Sequence, residues 1–532
     1  MNNNLWYKNA VFYEISVRAF KDSNGDGHGD LRGLTEKLDY LQTLGVDCIW
    51  IMPIYPSPLR DDGYDIADYY SVDSIYGSLD QLKDLIEAAH QRGIRIIMDL
   101  VLNHTSDEHP WFQASRSDRS SPYRDYYVWN DDDKKYADVR IIFSDVEKSN
   151  WTWDEKAGQY FWHRFYSTQP DLNFDNPKVR DEMLNVMRFW LTLGIDGFRV
   201  DAPTYLFERE GTNCESLPET HAYLKRIRSM MDAEFPGAIM LAESNQWPGE
   251  LARYFDAGDE FHMAFHFPLM PRMYLALAQG DASAIINILK ETPAIPESCQ
   301  WMLFLRNHDE LSLEMVTENE REFMWREYAP EPQMILNLGI RRRLAPIMRN
   351  DRRKIEVINS LLFTLPGSPI LYYGDEIGMG DNLNLPDRNG VRTPMQWDNS
   401  PNAGFSTGKP FSELVKGDLG YQQVNVASQL NDPSSLFQCI KRMIAIRKEH
   451  AAFGSGGMEW IDMGIPSVAA FLRRYQDDTI LVINNLASFA ETIQIPEEYQ
   501  TNYLNLLGGD SQTLTAQVTL QPYSYIWLEQ LK

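Results

Sequence analysis

The first hundred residues alternate short apolar runs with stretches of helical periodicity. Residues 11–17, Val-Phe-Tyr-Glu-Ile-Ser-Val, read as a strand. Leu34, Leu38, Leu41 and Leu44 then mark one helix face ended by Gly45, and residues 48–54 form a second apolar run. The next unit repeats the scheme. Ser78-Leu79-Asp80-Gln81 has the form of a capping box, Leu79, Leu82, Ile86 and Ala89 recur at helical spacing, Gly93 closes the helix, and residues 95–102 supply a third strand. Strand, helix, strand at this rhythm predicts parallel βαβ units.

From residue 103 to about 170 the rhythm fails. The segment is rich in aromatic side chains (Trp111, Tyr126, Tyr127, Trp129, Trp151, Trp153, Trp162) and reads as an inserted loop domain. Strand-like runs resume at 197–202, 239–244, 264–267, 301–307 and 369–375, which with the first three makes eight. The expected fold class is therefore α/β: a (β/α)8 TIM barrel over residues 1–102 and 171–453, with the insertion 103–170 after its third strand. After a helix over 434–450 the pattern changes to alternation at 468–474, 479–485, 491–495, 518–521 and 524–529. Residues 454–532 are expected to form a small antiparallel β-sandwich domain.

Composition narrows the partners. The chain of 532 residues is 43% hydrophobic and 24% charged, which excludes disordered and fibrous classes. Its 50 Lys and Arg against 76 Asp and Glu give a net charge of −26, so phosphate backbones and anionic lipid surfaces are repelled. The basic runs Arg341-Arg342-Arg343 and Arg352-Arg353-Lys354 are short and flanked by apolar and acidic residues. Neither nucleic acid nor membrane is expected as a partner; neutral polar molecules and metal cations remain. The four cysteines (Cys48, Cys214, Cys299, Cys439) make no CxxC, so thiols in a reducing compartment are expected. With no basic leader and no apolar run of ~18 residues, a soluble cytoplasmic protein is the expectation.

In a barrel, reactive groups gather at the C-terminal ends of the strands, and this chain places its polar residues there. Strand three ends Asp99-Leu-Val-Leu-Asn103-His104 and strand four is Gly197-Phe198-Arg199-Val200-Asp201. Alternation sends Arg199 and Asp201 to one side, and a guanidinium beside Asp201 favours the ionised carboxylate that a nucleophile needs. Strand five ends Leu241-Ala242-Glu243, with apolar residues before Glu243 that would raise its pKa for general-acid work. Strand seven ends Asn307-His308-Asp309. Three carboxylates, one Arg and two His at one barrel mouth suit glycosidic-bond chemistry: a nucleophile, an acid/base and a group that stabilises an oxocarbenium-like transition state. A divalent-metal hydrolase would need HxH or HExxH, and the chain has neither.

With these motifs, and with Gln169-Pro-Asp171-Leu-Asn173 as an accessory one, the sequence resembles glycoside hydrolase family 13, the α-amylase family, over essentially its whole length. The resemblance implies Asp201 as nucleophile, Glu243 as acid/base and Asp309 as transition-state stabiliser. It implies Tyr64 as the ring under a bound glucose, with Asp62, His104, Gln169, Arg199, His308 and Arg392 as further substrate-binding residues. The loop Asp22-Ser-Asn24-Gly-Asp26-Gly-His28-Gly-Asp30 fails as an EF-hand, because Gly33 stands where a bidentate Glu is needed. It resembles instead a structural Ca2+ loop found in family members, with His28 contributing its backbone carbonyl. A second Ca2+ position is implied near the insertion, with Asn103, Asp171, Glu208 and the carbonyls of Tyr205 and Leu206 as ligands. No organic cofactor is expected.

Residues 204–221, 263–272 and 378–397 are similar to those of family members that rearrange maltose into trehalose. Maltose, trehalose and glucose are thus the implied partners, and assembly into a homo-oligomer is open. Hydrolysis to glucose, of maltose or of a phosphorylated trehalose, is the alternative within the family, and a non-catalytic carbohydrate-binding relative lies further off. Rearrangement requires that water be kept from the intermediate. The aromatic insertion and the polar segment 314–349 after strand seven are expected to form the lid that does so.

Overall fold

The computed structural model describes residues 3–531. Barrel strands β1 (Phe12–Ile15), β2 (Cys48–Ile51) and β3 (Arg95–Val101) come first, followed by an antiparallel three-stranded sheet in the insertion: β4 (Trp129–Asn130), β5 (Trp151–Asp154) and β6 (Gln159–Trp162). The barrel resumes with β7 (Gly197–Asp201), β8 (Ile239–Ala242), β9 (Met263–Phe265) and β10 (Gln300–Phe304). A short hairpin, β11 (Ile335–Leu336) and β12 (Gly339–Ile340), precedes the last barrel strand β13 (Ser368–Tyr372). These eight strands close in the order β1-β2-β3-β7-β8-β9-β10-β13, all parallel. Nearly every strand residue is buried, which is why the runs read as continuous rather than alternating.

Two local departures have clear causes. The chain leaves β1 at Ile15 because Val17–Phe20 turns helical. The helix face of Leu34 to Leu44 belongs to two helices, Leu31–Glu36 and Leu38–Leu44, joined at Lys37. Asp30 caps the first by accepting the Gly33 N–H, and Gly45 ends the second at φ 100°, a left-handed conformation that glycine adopts without strain. The capping box of Ser78 and Gln81 forms as its sequence suggests.

The insertion has a core of its own, in which Tyr136, Val139, Trp151 and Trp162 pack with Cys214 from the loop after β7. This contact fastens the insertion to the mouth of the barrel. Beyond the helix Leu436–Glu449, the tail holds β14 (Gly457–Ile461), β15 (Val468–Tyr475), β16 (Asp478–Asn485), β17 (Glu491–Gln494), β18 (Asn502–Asn505), β19 (Ser511–Thr513), β20 (Gln517–Leu520) and β21 (Tyr525–Gln530). A six-stranded sheet, β14-β15-β16-β21-β18-β19, and the pair β17-β20 enclose a core that includes Leu481, Ile483, Ile493, Leu520 and Leu528. Two buried arginines bind the end of one barrel helix, Arg447 from the barrel's last long helix and Arg473 from β15 of the tail. Arg447 donates to the carbonyls of Phe363 and Gly367, each at 2.6 Å, and Arg473 to that of Thr364 at 2.6 Å. They satisfy carbonyls at the C-terminal end of the helix Arg352–Thr364, where cations are favoured, just before β13 begins.

Among the described residues, no helix is long and apolar enough to cross a membrane, and all four cysteines are free and buried.

Candidate active site

Arg199, fully buried on β7, is the hub of the barrel mouth. Its cross-strand partner is Asp99 on β3, and its Nη1 donates to Asp99 Oδ1 at 2.6 Å and to Asp201 Oδ1 at 2.7 Å. Nη2 contacts Glu243, which directly follows β8. The guanidinium lies 4.9 Å from the ring centroid of Trp50 and 5.5 Å from that of Tyr64. Burial opposes the charge on Arg199, but Asp99, Glu243 and Asp201 outweigh it and hold its pKa well above the usual value. Asp99 also accepts from Trp50 Nε1 at 2.9 Å and from the Tyr64 hydroxyl at 3.0 Å; burial still pushes it up to about 7, against the pull of Arg199.

Around this hub the chemistry differentiates. Burial raises the pKa of Glu243 well above that of an ordinary carboxyl; Arg199 opposes the rise, and Asp201, Asp309 and Asp99 add to it. A carboxyl so placed keeps its proton and can give it to a leaving group. Asp309 has the opposite setting. Burial works against its charge, but its neighbours, the N–H of His308 and the guanidinium groups of Arg388 and Arg392, hold its pKa well below the carboxylate range. Arg388 and Arg392 both donate to its Oδ1 at 2.9 Å. Asp201 and Glu243 share one guanidinium, so they stand close together, as the two carboxyls of a retaining glycosidase must.

One cavity brings most of the expected site residues together. Asp201, Glu243, Asp309, Tyr64, His104 and His308 all line it. The ring of Tyr64 stacks on that of His308 at 5.2 Å and 11°. His104 is buried with both ring nitrogens unpartnered, and burial lowers its pKa to about 4, so it faces the cavity as a neutral imidazole able to donate through one nitrogen and accept through the other. Arg199 lies beneath these groups, and Arg392 behind Asp309, where it also donates to the His308 carbonyl at 2.9 Å.

Two expected residues stand elsewhere. Asp62 is turned toward Arg18 at 3.2 Å and Arg392 at 3.4 Å; it is Asp61 that lines the cavity. The cause is the tight turn here, with Asp62 at φ 49° and Gly63 at φ 106°, which sends neighbouring side chains in different directions. Gln169 is fully buried outside the cavity and donates to Asp61 Oδ2 at 2.8 Å, so it orients Asp61. The sequence reading also missed Arg388, Asn245, Glu310 and the apolar group Ile142, Phe143 and Phe165, all of which line the cavity. Arg388 has a sequence signal, because it stands four residues before Arg392 in Asp387-Arg-Asn-Gly-Val-Arg392. The apolar group has none, because the insertion that carries it lacks periodicity.

The cation sets differ. In the loop 22–30 the oxygens are already engaged. Asp22 accepts from the N–H groups of Asn24, Gly25 and Gly27 and from the Ser406 hydroxyl, and Asp30 accepts from Ser23 and Gly33. Asn24 and Asp26 accept backbone N–H groups within the loop, and the His28 ring stacks on Phe411. Every buried oxygen of this loop has a hydrogen-bond partner, and its side-chain oxygens keep further lone pairs. In the second set, by contrast, Asp171 Oδ2 and Glu208 Oε1 are buried without partners, and the Asn103 amide nitrogen is too. Burial raises the pKa of both carboxyls, and Asp171 adds to the rise at Glu208. This donor set fits a hard divalent cation.

A closed parallel barrel with one guanidinium holding a carboxyl pair and a third carboxylate facing it defines a glycosidase-type site, and the chain belongs to the α-amylase family. Residues 14–341 and 333–456 match the description "Alpha amylase, catalytic domain", and residues 468–526 match "Alpha-amylase SusG C-terminal domain". Among curated relatives, the chain is 54% identical to the "Trehalose synthase/amylase TreS" of Mycobacterium tuberculosis (strain CDC 1551 / Oshkosh), over 98% of this chain and 90% of that one. It is 53% identical to the "Trehalose synthase" of Pimelobacter sp. (strain R48), over 95% of this chain and 91% of that one. Solved structures of similar shape include the trehalulose synthase MutB from Pseudomonas mesoacidophila MX-45, with a TM-score of 0.79, 29% identity and coverage of 98% and 99%. The Bacillus licheniformis trehalose-6-phosphate hydrolase (TreA) gives a TM-score of 0.81, 29% identity and coverage of 99% and 100%.

The orphaned nitrogens of His104 yield a test. His104→Phe removes two unpaired buried polar atoms, so the unliganded protein should melt no lower than the parent in calorimetry. Its affinity for glucose should fall about tenfold, about 1.4 kcal/mol for a lost hydrogen bond. A variant that melts several degrees lower and binds glucose like the parent would refute the assignment.

Proposed function

We propose that this protein isomerises maltose to trehalose by a retaining double displacement, and that hydrolysis to glucose is its minor reaction. Asp201 attacks C1 of the nonreducing glucose while Glu243 gives its proton to the departing O4. The freed glucose turns within the site. Its anomeric hydroxyl then attacks C1, Glu243 takes that proton and Asp201 leaves, so two inversions give net retention. Asp309 carries the third carboxylate toward the positive charge that develops at C1.

The observation that carries this reading is the cover over the cavity. Ile142, Phe143 and Phe165 of the insertion and Ser312 and Glu314 after β10 line the same space as Asp201. The cover is also cross-linked. Arg140 of the insertion donates to Glu215 at 2.7 Å, to Glu314 at 3.3 Å and to the Tyr205 hydroxyl at 3.2 Å. The Asn337 N–H, in the turn between β11 and β12, donates to Asp145 at 3.1 Å. Two loop regions distant in sequence thus close over the intermediate and keep water away while the glucose turns.

Charge favours a neutral sugar. Six acidic residues, Asp61, Asp201, Glu243, Asp309, Glu310 and Glu314, line the cavity against one arginine, and that arginine already pairs with Asp309. A phosphorylated disaccharide would meet no free cation there. The four buried, unpaired cysteines fit a reducing compartment such as the cytoplasm.

We also infer that Ca2+ sits among Asn103, Asp171 and Glu208, with the Tyr205 and Leu206 carbonyls within the same loop as Glu208. Bound there, it would neutralise two buried carboxyls and tie the end of β3 to the base of the insertion and the loop after β7.

Two outcomes are expected. Incubation with maltose, with sugars resolved over time, should give trehalose in excess of glucose; glucose without trehalose would replace this reading with a hydrolase. Asp201→Asn should abolish both products, and Arg140→Ala should raise the glucose fraction by several-fold. For the cation, calorimetric melting should rise with added Ca2+ and fall with chelator in the parent but respond little in Glu208→Gln. Equal responses in the two proteins would remove the site.

A further inference from the structure

Glu14 is the third residue of β1 and is fully buried, in register with Trp50 of β2 and Tyr372 of β13. Its Oε1 accepts the backbone N–H of His308 at 3.2 Å and lies 2.5 Å from that residue's ring Nδ1. Its Oε2 is buried with no partner. At the far side of the imidazole, Nε2 lies 3.2 Å from Asp309 Oδ2. The ring cannot turn away, because Tyr64 stacks on it at 5.2 Å and Trp50 meets it edge-on at 5.6 Å. A buried imidazole thus has a carboxyl group at each nitrogen.

A neutral imidazole has one N–H, so only one nitrogen can donate. Asp309 is clamped by two guanidinium groups and can only accept, which places the proton on Nε2. Nδ1 then presents a lone pair, and the oxygen 2.5 Å away must be the donor. We infer that Glu14 is a positioning residue that acts as a neutral carboxylic acid, donating its proton to Nδ1 and fixing His308 as the Nε2–H tautomer at the wall of the cavity. The orphaned Oε2 agrees with this, since a carbonyl oxygen without a partner costs less than a carboxylate oxygen without one. The charged groups facing the pair are Arg199, Asp309 and Asp99 around Glu14, and Asp309, Arg392, Arg199 and Arg388 around His308. In that setting burial moves the Glu14 pKa well above the ordinary carboxyl value and the His308 pKa well below the ordinary imidazole value.

The consequence is a fixed donor where a sugar hydroxyl arrives. His308 offers N–H to substrate or to Asp309, and its part of the cavity wall does not alternate between donor and acceptor. The inference rests on the reading of this cavity as a glucosyl-transfer site only for its kinetic arm.

The test compares Glu14→Gln with Glu14→Leu. The amide nitrogen of glutamine can donate to Nδ1 but cannot also accept the His308 backbone N–H as Oε1 does, so Glu14→Gln should lose less kcat/KM on maltose than Glu14→Leu and keep the parent's pH profile. The leucine variant should lose about 10- to 100-fold, the usual cost of removing the group that orients an active-site imidazole. A leucine variant as active as the parent would overturn the inference, as would a glutamine variant whose pH profile departs from the parent's. Nitrogen NMR of the parent labelled at histidine, with the His308 signals identified by their absence in His308→Gln, decides the matter without any substrate or folded Glu14 variant. Protonated Nε2 with bare Nδ1 is expected, and a protonated Nδ1 overturns the inference. If maltose is not turned over but the NMR result holds, the functional reading fails and the tautomer stands.

Discussion

One buried guanidinium organises this protein. Arg199 holds Asp99, Asp201 and Glu243 together, and without it three carboxyl groups would crowd a space closed to water. An isolated buried ion costs several kcal/mol even after the protein relaxes, so none of the three could stand there alone as an anion. A lysine would not serve. Its ammonium is a point charge, whereas the planar fork of arginine reaches Asp99 and Asp201 through one nitrogen and Glu243 through the other. The three acids come from β3, β7 and the end of β8, so the fork also fixes the order and register of the strands around it. Closing the barrel and assembling the site are the same event.

The same hub explains how one kind of side chain takes several roles. Glu243 shares Arg199 with two other acids, and burial wins, so it holds its proton. Asp309 touches two guanidinium groups through one oxygen, and charge wins, so it stays an anion. Glu14, on β1 and without a cation in contact, is the extreme case of burial. The net charge of −26 indicates little about these differences, because the local ratio of acids to guanidinium groups sets each one.

The barrel was legible in the sequence because buried parallel strands are continuous apolar runs, and the polar residues that end them mark the mouth of the site. Asp201, Glu243, Asp309, His104 and His308 could be found that way, since each stands at or just after a strand. Asp61 could not. It lies in a turn whose positive φ angles decide which of two adjacent aspartates faces inward, and no periodicity reports that. The strands β14, β18 and β19 were missed for a related reason: they lie near or at the edges of the tail sheet, partly exposed, and carry too few buried residues to leave a pattern. Glu14 sat inside an apolar run and looked like a core position, and only the approach of His308 from β10, 294 residues away in the chain, gives it a role.

The cross-links of Arg140 set a clock. Each time the enclosed glucose turns, it competes with the opening of the cover, so the balance of products is a ratio of two rates rather than a property of the carboxyl groups. Every hydrogen bond that keeps the cover shut lengthens the time available for turning, and equally delays the departure of the finished disaccharide. Fidelity and speed are therefore opposed in the same few cross-links. The protein can gain one only by giving up some of the other, whatever the strength of the acid and nucleophile below.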